Sequence, residues 1–525
     1  MSGAISLGAY EGGVLAALLA AAQGVNERER DALRIDAMSG ASAGSITALL
    51  AARALVAGLA PIDVMYGAWV EAPQLAELRD GKESPLSVEH TRARAAELLR
   101  GEEHRERSQG SAIRVQMALG CLRGLDYRIG RIGGPPIQAS TYLDWAEWQI
   151  DGTRALDWYT AENGPVHAAL ASGAHAAAFP PQGLDRGAAD VQAAYERNGV
   201  EGFPPSRFLW YTDGGTIDNE PLGRALGLTN ELDSAPDDPL GDAARLHLMI
   251  SPDPARPTVG NDAWSTPTPS PTWPTTGLRT LKLLRVQRLY DDLREVEKTN
   301  SRIAWTRQVE DTLVSILSGE RPDAERALAE VAERIAEQKA ALTAPDDVRV
   351  PTREPDSPLA KAIRSALDAA TGLSRKREVA VSVVSPLVLP EVADGSTTAR
   401  ELLAGEFLGH FGGFLGQPLR ENDFALGYRC MLCWLDQRNG LERHGLDPEL
   451  ARQAVNSAAA ARAEWERNAR RPWIDDLGGT TLENRPLGEQ LQVLRLAMRA
   501  ASIAFKQVLG DAALDRVRRA QRPGR

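Results

Sequence analysis

The chain has 525 residues, of which 43% are apolar and 25% charged, and these fractions predict a globular protein of one to three domains. A formal net charge of -11 argues against nucleic-acid binding, which requires a basic face, and against purely electrostatic attachment to an anionic membrane, although a local basic patch is compatible with it. No apolar run is long enough to predict a transmembrane segment, and three cysteines are too few for a disulfide framework. The composition therefore indicates a reducing compartment, the cytoplasm.

The first predicted elements are a Gly-rich opening, "SGAISLGAYEGG", and the apolar run "GVLAALLAAAQGV" that follows it. A signal peptide carries basic residues before its apolar core, whereas Glu11 precedes this run and no Lys or Arg does. We therefore predict that the run is a buried helix.

The next feature is "GASAG", residues 40–44, which lies between "LRIDAMS" and "SITALLAARAL". An apolar strand runs into Gly40 and an amphipathic helix follows Gly44, so Ser42 is predicted at the apex of a strand-to-helix turn. Such an elbow exposes a serine hydroxyl for nucleophilic attack, and the helix dipole beneath it favours negative charge. An α/β-hydrolase would add a histidine, but only about forty residues precede Ser42. His247 and His410 are each predicted to be structural.

A second candidate lies in "FLWYTDGGTIDNEPL", where a predicted strand ends in Asp213 and Gly214 and Gly215 follow at once. A carboxylate held at a strand end by a tight glycine turn can reach a neighbouring elbow. The same letters also fit an ordinary Asp-Gly turn, and the residues alone leave both interpretations open. A further strand is predicted from "RLHLMIS".

Two Pro-rich breaks divide the rest of the chain. "REVAVSVVSPLVLP" predicts a strand that returns to the first sheet, and Cys430 and Cys433 are predicted as packing thiols on a helix rather than a metal or redox pair. The predicted division is an α/β core at 1–262, a Pro/Thr-rich linker at 263–277, a helical hairpin insertion at 278–345, a Pro-rich linker with a short helix at 346–375, strand and loop elements returning to the core at 376–440, and a helical region at 441–525.

Four landmarks stand in a fixed order along roughly the first 220 residues: the Gly-rich opening, "GASAG", "ALASGAHAAAFPPQGL" at 169–184, and "DGG" with Asn219 and Pro221 after it. Together they resemble the patatin-like phospholipases. The stretch "GEFLGHFGGFLGQPLRENDFALGY" at 405–428 resembles a C-terminal segment of longer bacterial members. The joint order is far more specific than any one motif, but the core resemblance does not cover the helical hairpin or the final helices.

The resemblance implies a three-layer α/β/α sandwich with the hairpin and the C-terminal helices as additions, and a Ser–Asp dyad without histidine. It makes Ser42 the nucleophile and Asp213 the base. It implies an oxyanion hole formed by main-chain N–H groups near Gly3, Ala4 and Ile5, and motif-supporting glycines at Gly8, Gly40, Gly44, Gly214 and Gly215. No metal or other cofactor is implied. The substrate would be a lipid ester at a membrane or micelle surface, which predicts a cytoplasmic hydrolase with peripheral membrane contact.

The first loop departs from the family pattern G-x-G-x-x-G, because Ile5 replaces a glycine and Leu7 stands where a basic residue is often found. The main-chain donors survive this change if φ of Ile5 suits a β-branched residue, and a positive φ would not. Two alternatives to a hydrolase stay open: a patatin-fold interaction protein with impaired catalysis, and a serine-dependent acyltransferase. Only Met1 and Ser2 precede the loop, so we also expect the natural chain to begin further upstream, with an apolar strand.

Overall fold

The structure is a computed structural model that describes residues 1–73, 84–100, 103–131, 134–176, 178–197, 200–201, 203–233, 245–252, 295–296, 298–317, 323, 326, 358–371, 379–437, 440–500 and 502–503. The chain forms two compact units. The first comprises Met1–Leu228, Leu248–Arg288 and Val383–Arg525, and the second comprises Thr229–His247 and Leu289–Ser382. All the candidate catalytic, oxyanion and glycine positions lie in the first unit.

The first unit contains a mixed six-stranded sheet, β1 to β6, with bounds Ala37–Ala41, Ile113–Arg131, Gly134–Ile150, Gln182–Asp185, Val200–Glu201 and Phe208–Asp213. The long strand β2 organises this sheet: β1 runs parallel to it, β3, β5 and β6 run antiparallel to it, and β4 pairs with β6. Ala41 at the end of β1 pairs with Ala118, and Asp213 at the end of β6 pairs with Leu119. The two carboxyl ends therefore meet at adjacent positions along β2.

A second sheet has two strands, β7 at Leu246–Ile250 and β8 at Ala380–Val384. Both strands are predicted from the sequence. The prediction that β8 returns to the first sheet is wrong, because β8 pairs with β7 in the second sheet. The main chain of Met1 and Ser2 contacts one strand of each sheet. The Met1 amine donates to Ser39 O on β1 at 2.9 Å, and the Ser2 N–H donates to Ile250 O on β7 at 3.3 Å.

The described helices are Gly8–Arg28, Ala43–Ala57, Pro61–Tyr66, a π-helix at Gly67–Glu71, Glu89–Leu98, Leu156–Thr160, Pro165–Ser172, Ala189–Arg197, Leu222–Asp233, 298–317, Pro358–Thr371, Pro390–Ala393, Ala399–Leu402, Phe407–His410, Gln417–Asp436, Pro448–Ala469 and 487–500. The fold is mixed α/β with a central sheet and a helical C-terminal region, as the sequence predicts. The helix predicted after Gly44 is Ala43–Ala57, and the predicted short helix of 346–375 corresponds to Pro358–Thr371.

The predicted buried helix is Gly8–Arg28, all of whose residues from Gly8 to Val25 are buried. With the preceding turn it spans Ile5–Arg28 and is long and apolar enough to cross a membrane, contrary to the sequence expectation, but its apolar window is entirely buried inside the fold. A Cβ on Gly13 would lie 2.0 Å from Phe424 O, so this helix packs main chain against main chain on Gln417–Asp436. Complete burial of this kind is the packing of a core helix.

The helix Gln417–Asp436 corrects the prediction of strand and loop elements at 376–440 and carries both predicted packing thiols, of which Cys430 is buried and Cys433 half-buried. The predicted hairpin at 278–345 is described only in part, chiefly through the helix 298–317 in the second unit. Apart from 295–296, 323 and 326, its remaining residues lie outside the described residues, as does the linker 263–277, so these boundaries stay predictions.

Candidate active site

Ser42 stands at the turn between β1 and the helix Ala43–Ala57, which we call the elbow helix. Its main chain has φ 54° and ψ -123°, a region that few residues other than glycine occupy, and the residue is buried. The turn is tight: a Cβ on Gly40 would lie 2.4 Å from the Gly44 main chain, and a Cβ on Gly44 would lie 2.7 Å from Ser2 O. The two glycines of "GASAG" are thus required by space, and the chain forms the predicted strand-to-helix elbow.

Ser172, at the end of the helix Pro165–Ser172, supports the elbow from below. Its Oγ accepts a hydrogen bond from the Ser42 N–H at 3.0 Å and lies 2.8 Å from Ser45 Oγ. It also donates to Ala118 O at 2.6 Å, on the strand to which β1 and β6 are paired. Because Ser172 is fully buried, these contacts hold the turn at Ser42 to the sheet.

Asp213 ends β6 and is fully buried. Its Oδ1 accepts a hydrogen bond from the Gly215 N–H at 3.0 Å, and its own N–H donates to Ala174 O at 3.0 Å. A Cβ on Gly215 would lie 3.3 Å from Asp213 Oδ1 and 3.5 Å from Ser42 Cβ, so both side chains border the same small space. A Cβ on Gly214 would lie 2.0 Å from Ala118 O, which leaves no room for any side chain there.

The first loop lies against Ser42. A Cβ on Gly3 would be 3.2 Å from Ser42 Cβ and 2.6 Å from Asn219 Oδ1. The Gly3 N–H donates to Asn219 O at 2.8 Å, so it is already engaged, and of the three predicted oxyanion donors we retain Ala4 and Ile5. Gly8 ends the loop beneath the Trp69 ring, which a Cβ would approach to 2.4 Å.

Ile5 has a positive φ of 54°, the conformation that the sequence analysis marks as unfavourable for a β-branched residue. Holding such a residue in the left-handed region costs about 1–3 kcal/mol, and surrounding contacts must offset this cost. The buried Ile5 side chain packs in a cluster with Leu86, Ala178 and Phe414. The loop therefore keeps a glycine-like main-chain conformation although it lacks the glycine.

A buried carboxyl lies behind the loop. Glu11 accepts a hydrogen bond from the Ser2 hydroxyl at 2.9 Å, and burial raises the pKa of Glu11 to about 8. Glu11 is therefore mostly protonated near pH 7 and adds little negative charge behind the loop.

An apolar pocket opens onto Ser42 and Ile5. Its wall includes Ile46 and Leu50 of the elbow helix, Trp69 of the π-helix, Leu170, and Phe411 and Phe414 from the C-terminal half of the chain. Polar lining residues include Arg94 and His175, and the His175 ring packs edge-on against Phe411 at 5.5 Å between centroids. The arrangement sets the Ser42 side chain beside an apolar space of the kind that receives hydrocarbon.

The C-terminal part of this wall is fixed to the first loop. Ser6 Oγ donates to His410 O and accepts from the Gly413 N–H at 3.1 Å. The buried Arg420 guanidinium donates to Gly413 O at 2.9 Å and to Val70 O at 2.7 Å, which ties the segment to the π-helix. Residues more than four hundred positions apart thus form one pocket wall.

Residues 1–73 match the family model described as patatin-like phospholipase. This match supports a patatin-like phospholipase family assignment. The match covers the first loop and the elbow but ends well before Asp213. No curated protein and no solved structure matches the chain. Patatin-like phospholipases are a lipid acyl hydrolase family, and the apolar pocket beside Ser42 is consistent with that class of substrate.

The patatin-like arrangement brings together the predicted Ser42, Asp213, Gly3 and Ile5, which all border the same site. Sequence reasoning missed Ser172 as the support of the elbow, and it missed the link between Gly3 and Asn219. Ser172 and Asn219 lie in segments that carried the family resemblance. The sequence therefore indicated that these segments belong near the site, but not what the two residues do there. The contribution of Phe411 and Phe414 to the pocket had no local signal.

Proposed function

We propose that the protein is a serine acyl hydrolase of the lipase or phospholipase A type, acting on lipid esters through a Ser42–Asp213 dyad. The observation that carries the proposal is that these two side chains border the same space beside Gly215, and that Ser42 also lines an apolar pocket. We place the reaction in the cytoplasm at a membrane or micelle surface, in keeping with the three free cysteines.

In the proposed reaction, Ser42 Oγ attacks the ester carbonyl while Asp213 takes the hydroxyl proton. The negative charge on the carbonyl oxygen is met by the N–H groups of Ala4 and Ile5 and by the N-terminus of the elbow helix. When the intermediate collapses, Asp213 returns the proton to the leaving alcohol and the acyl group stays on Ser42. Water then attacks the acyl ester with Asp213 as the base, and Asp213 returns that proton to Ser42 Oγ as the acyl–oxygen bond breaks and the fatty acid is released.

One observation favours a second candidate, the patatin-fold protein with impaired catalysis. Ile5 is held at a φ of 54° without the glycine of the family pattern. If this strain misdirects its N–H, the oxyanion loses one donor, and a lost donor typically costs about a hundredfold or more in turnover. The acyltransferase alternative differs only in the acceptor of the acyl group.

The test begins with a serine-reactive alkyl phosphonate probe on purified wild type, Ser42→Ala and the exposed control Ser140→Ala. We expect labelling of the wild type and of Ser140→Ala, with the adduct mapped to Ser42, and none of Ser42→Ala. Equal labelling of all three proteins would exclude Ser42 as the nucleophile.

The second stage incubates the same proteins with phospholipids, lysophospholipids and neutral glycerides, and identifies the products by mass spectrometry. Free fatty acid identifies a hydrolase, whereas an acyl group found on an added alcohol identifies a transferase. Neither labelling nor product in the folded wild type would favour the impaired protein.

A further inference from the structure

The helix 487–500 carries an exposed apolar stripe along one side. Leu487, Leu491, Leu494 and Met498 follow at intervals of four, three and four residues, so they lie on one face, and each is between 41% and 70% exposed. Among the exposed large apolar residues of the described part of the chain, these are the ones that share a helix. We call this face the C-terminal stripe.

The stripe is accompanied by positive charge. Arg495 and Arg499 are exposed beside it, and residues 490–500 contain no Asp or Glu. The chain as a whole carries a formal charge of -11, so this helix is locally opposite in sign. An apolar stripe flanked by arginines matches the two layers of an anionic lipid surface, with acyl chains below and charged head groups above.

The inner side of the same helix faces the candidate active site. Leu496 packs against the cluster of Ile5, Leu86, Ala178 and Phe414, and two members of this cluster, Ile5 and Phe414, line the pocket of Ser42. The stripe is therefore on the outside of a helix whose inside forms part of the backing of that pocket. A surface bound by the stripe would lie next to the place where an acyl chain is received.

We propose that the C-terminal stripe docks the protein on an anionic lipid surface. The alternative binding partner of an apolar stripe is a second copy of the chain. That pairing would bring Arg495 of both copies to one seam where residues 490–500 supply no acidic partner. Charge thus favours the lipid. This docking proposal rests on the proposed function, because it names the lipid surface on which the Ser42 site would work. The binding test itself needs no catalysis.

The experiment measures co-sedimentation with two vesicle types, pure phosphatidylcholine and equal parts phosphatidylcholine and phosphatidylglycerol. All variants carry Ser42→Ala, so that no vesicle is degraded during the measurement. Leu494→Gln/Met498→Gln removes half of the stripe. Its matched control is Leu122→Gln/Tyr142→Gln, since Leu122 and Tyr142 are exposed to the same extent as Leu494 and Met498 but lie on strands β2 and β3.

We expect the parent to bind the mixed vesicles better than pure phosphatidylcholine, and Leu494→Gln/Met498→Gln to weaken binding to the mixed vesicles about tenfold, while the control pair changes it little. Arg495→Gln/Arg499→Gln should weaken binding to the mixed vesicles by a similar factor and leave binding to pure phosphatidylcholine unchanged. Gln keeps helix propensity at exposed positions, and circular dichroism confirms the fold.

Three outcomes would overturn the proposal: no binding of the parent to either vesicle, equal loss in the stripe and control pairs, or a dimer in light scattering that the stripe pair converts to a monomer without change in vesicle binding. Hydrolysis is followed separately in Ser42-containing proteins with a water-soluble short-chain ester. Loss of vesicle binding with retained ester cleavage would concern the stripe alone, and vesicle binding by a protein that cleaves nothing would count against the proposed function alone.

Discussion

The main-chain N–H of Ser42 donates to the hydroxyl of Ser172, a residue 130 positions further along the chain, at 3.0 Å. Ser172 has one hydroxyl proton, and the carbonyl of Ala118 can only accept, so Ser172 donates to Ala118. The hydroxyl of Ser45 must then be the donor in its 2.8 Å contact with Ser172. One side chain thus links the strained turn at Ser42, the first turn of the elbow helix and the central strand.

Replacing Ser172 with Ala should lower kcat by about ten- to a hundredfold with little change in KM, because the nucleophile loses its support while the acyl pocket stays intact. Three buried groups, the Ser42 N–H, the Ser45 hydroxyl and Ala118 O, lose a partner, so the free energy of unfolding should fall by about 1–3 kcal/mol. Ester kinetics and urea unfolding measure both effects, with Ser140→Ala as the exposed control. An unchanged kcat would show that the turn keeps its geometry without Ser172.

Asp213→Asn should reduce turnover by at least about a hundredfold, because the amide keeps the shape but cannot accept the serine proton. The structure identifies a specific rival base, since His175 lines the same pocket as Ser42. His175→Gln is therefore the matched comparison and should retain most activity. Full kinetics on a water-soluble ester, with circular dichroism as a fold control, decide between them. A folded His175→Gln protein without activity would refute the dyad without histidine.

The sequence was sufficient for the local parts of this site. "GASAG" combines a strand before Gly40 with a helix after Gly44, and both signals lie within a few residues of Ser42. "DGG" directly after an apolar strand is equally local. The order of the family landmarks is also visible in the sequence, and it led to the prediction of Ser42 and Asp213 as site residues. The sequence could not show that β1 and β6 end at adjacent positions along β2.

The parts that the sequence did not yield depend on pairings between distant segments. No periodicity indicates that β8 pairs with β7, because either sheet could accept an apolar strand of the same length. Phe411 and Phe414 have the composition of an ordinary core segment, and only the contacts of Ser6 with His410 and Gly413 place them at the pocket. The φ of Ile5 is set by such long-range contacts as well. The sequence could therefore say only that the loop keeps its main-chain donors if this φ suits a β-branched residue, and it could not predict the angle itself.

The strain at Ile5 can be measured with a pair of substitutions. Ile5→Ala and Ile5→Gly both remove the buried side chain and should both be less stable than wild type by about 2–4 kcal/mol. Only glycine lacks the Cβ that opposes a φ of 54°. The free energy of unfolding of Ile5→Gly should therefore be about 1 kcal/mol higher than that of Ile5→Ala, which means that the glycine variant is the more stable of the two.

The matched control for that pair is Leu7, which is also buried but has a φ of -72°. There the order should reverse, with Leu7→Ala more stable than Leu7→Gly, because glycine costs conformational entropy without relieving strain. Urea unfolding of the four variants gives the comparison. If Ile5→Ala equals or exceeds Ile5→Gly, the loop does not hold the strained conformation.

Stability should fall as pH rises through the neutral range, owing to Asp423. Ala404 and Gly405 donate to this buried carboxylate at 2.7 and 2.9 Å, but burial outweighs them and raises its pKa to about 7. An unfolded aspartate has a pKa of about 4, so between about pH 4 and pH 7 the folded state holds a proton that the unfolded state has lost. The stabilisation from this group is complete below about pH 4 and is lost as pH passes through 7.

Asp423→Asn should therefore flatten the profile of unfolding free energy between about pH 5 and pH 7 by roughly 1 kcal/mol per pH unit. Glu11, whose pKa is raised to about 8 by burial, acts in the same direction, so some slope should remain. Urea unfolding at several pH values provides the measurement. The exposed Asp394, whose pKa is lowered by hydrogen bonds from Ser396, supplies the control Asp394→Asn, which should leave the slope unchanged. A parent profile that rises over this range would contradict the assignment.

The apolar pocket should set the length of the acyl chain that Ser42 receives. Ala68 belongs to the π-helix and lines the pocket, so Ala68→Phe places a ring in the space beside Trp69. Long-chain esters should lose at least about tenfold in kcat/KM, whereas acetyl esters, which do not extend along the wall, should lose about twofold or less. The control is Ala460→Phe on the exposed side of the helix Pro448–Ala469, which adds the same ring away from the pocket. Equal losses for long and short chains in Ala68→Phe would show that the acyl group binds elsewhere.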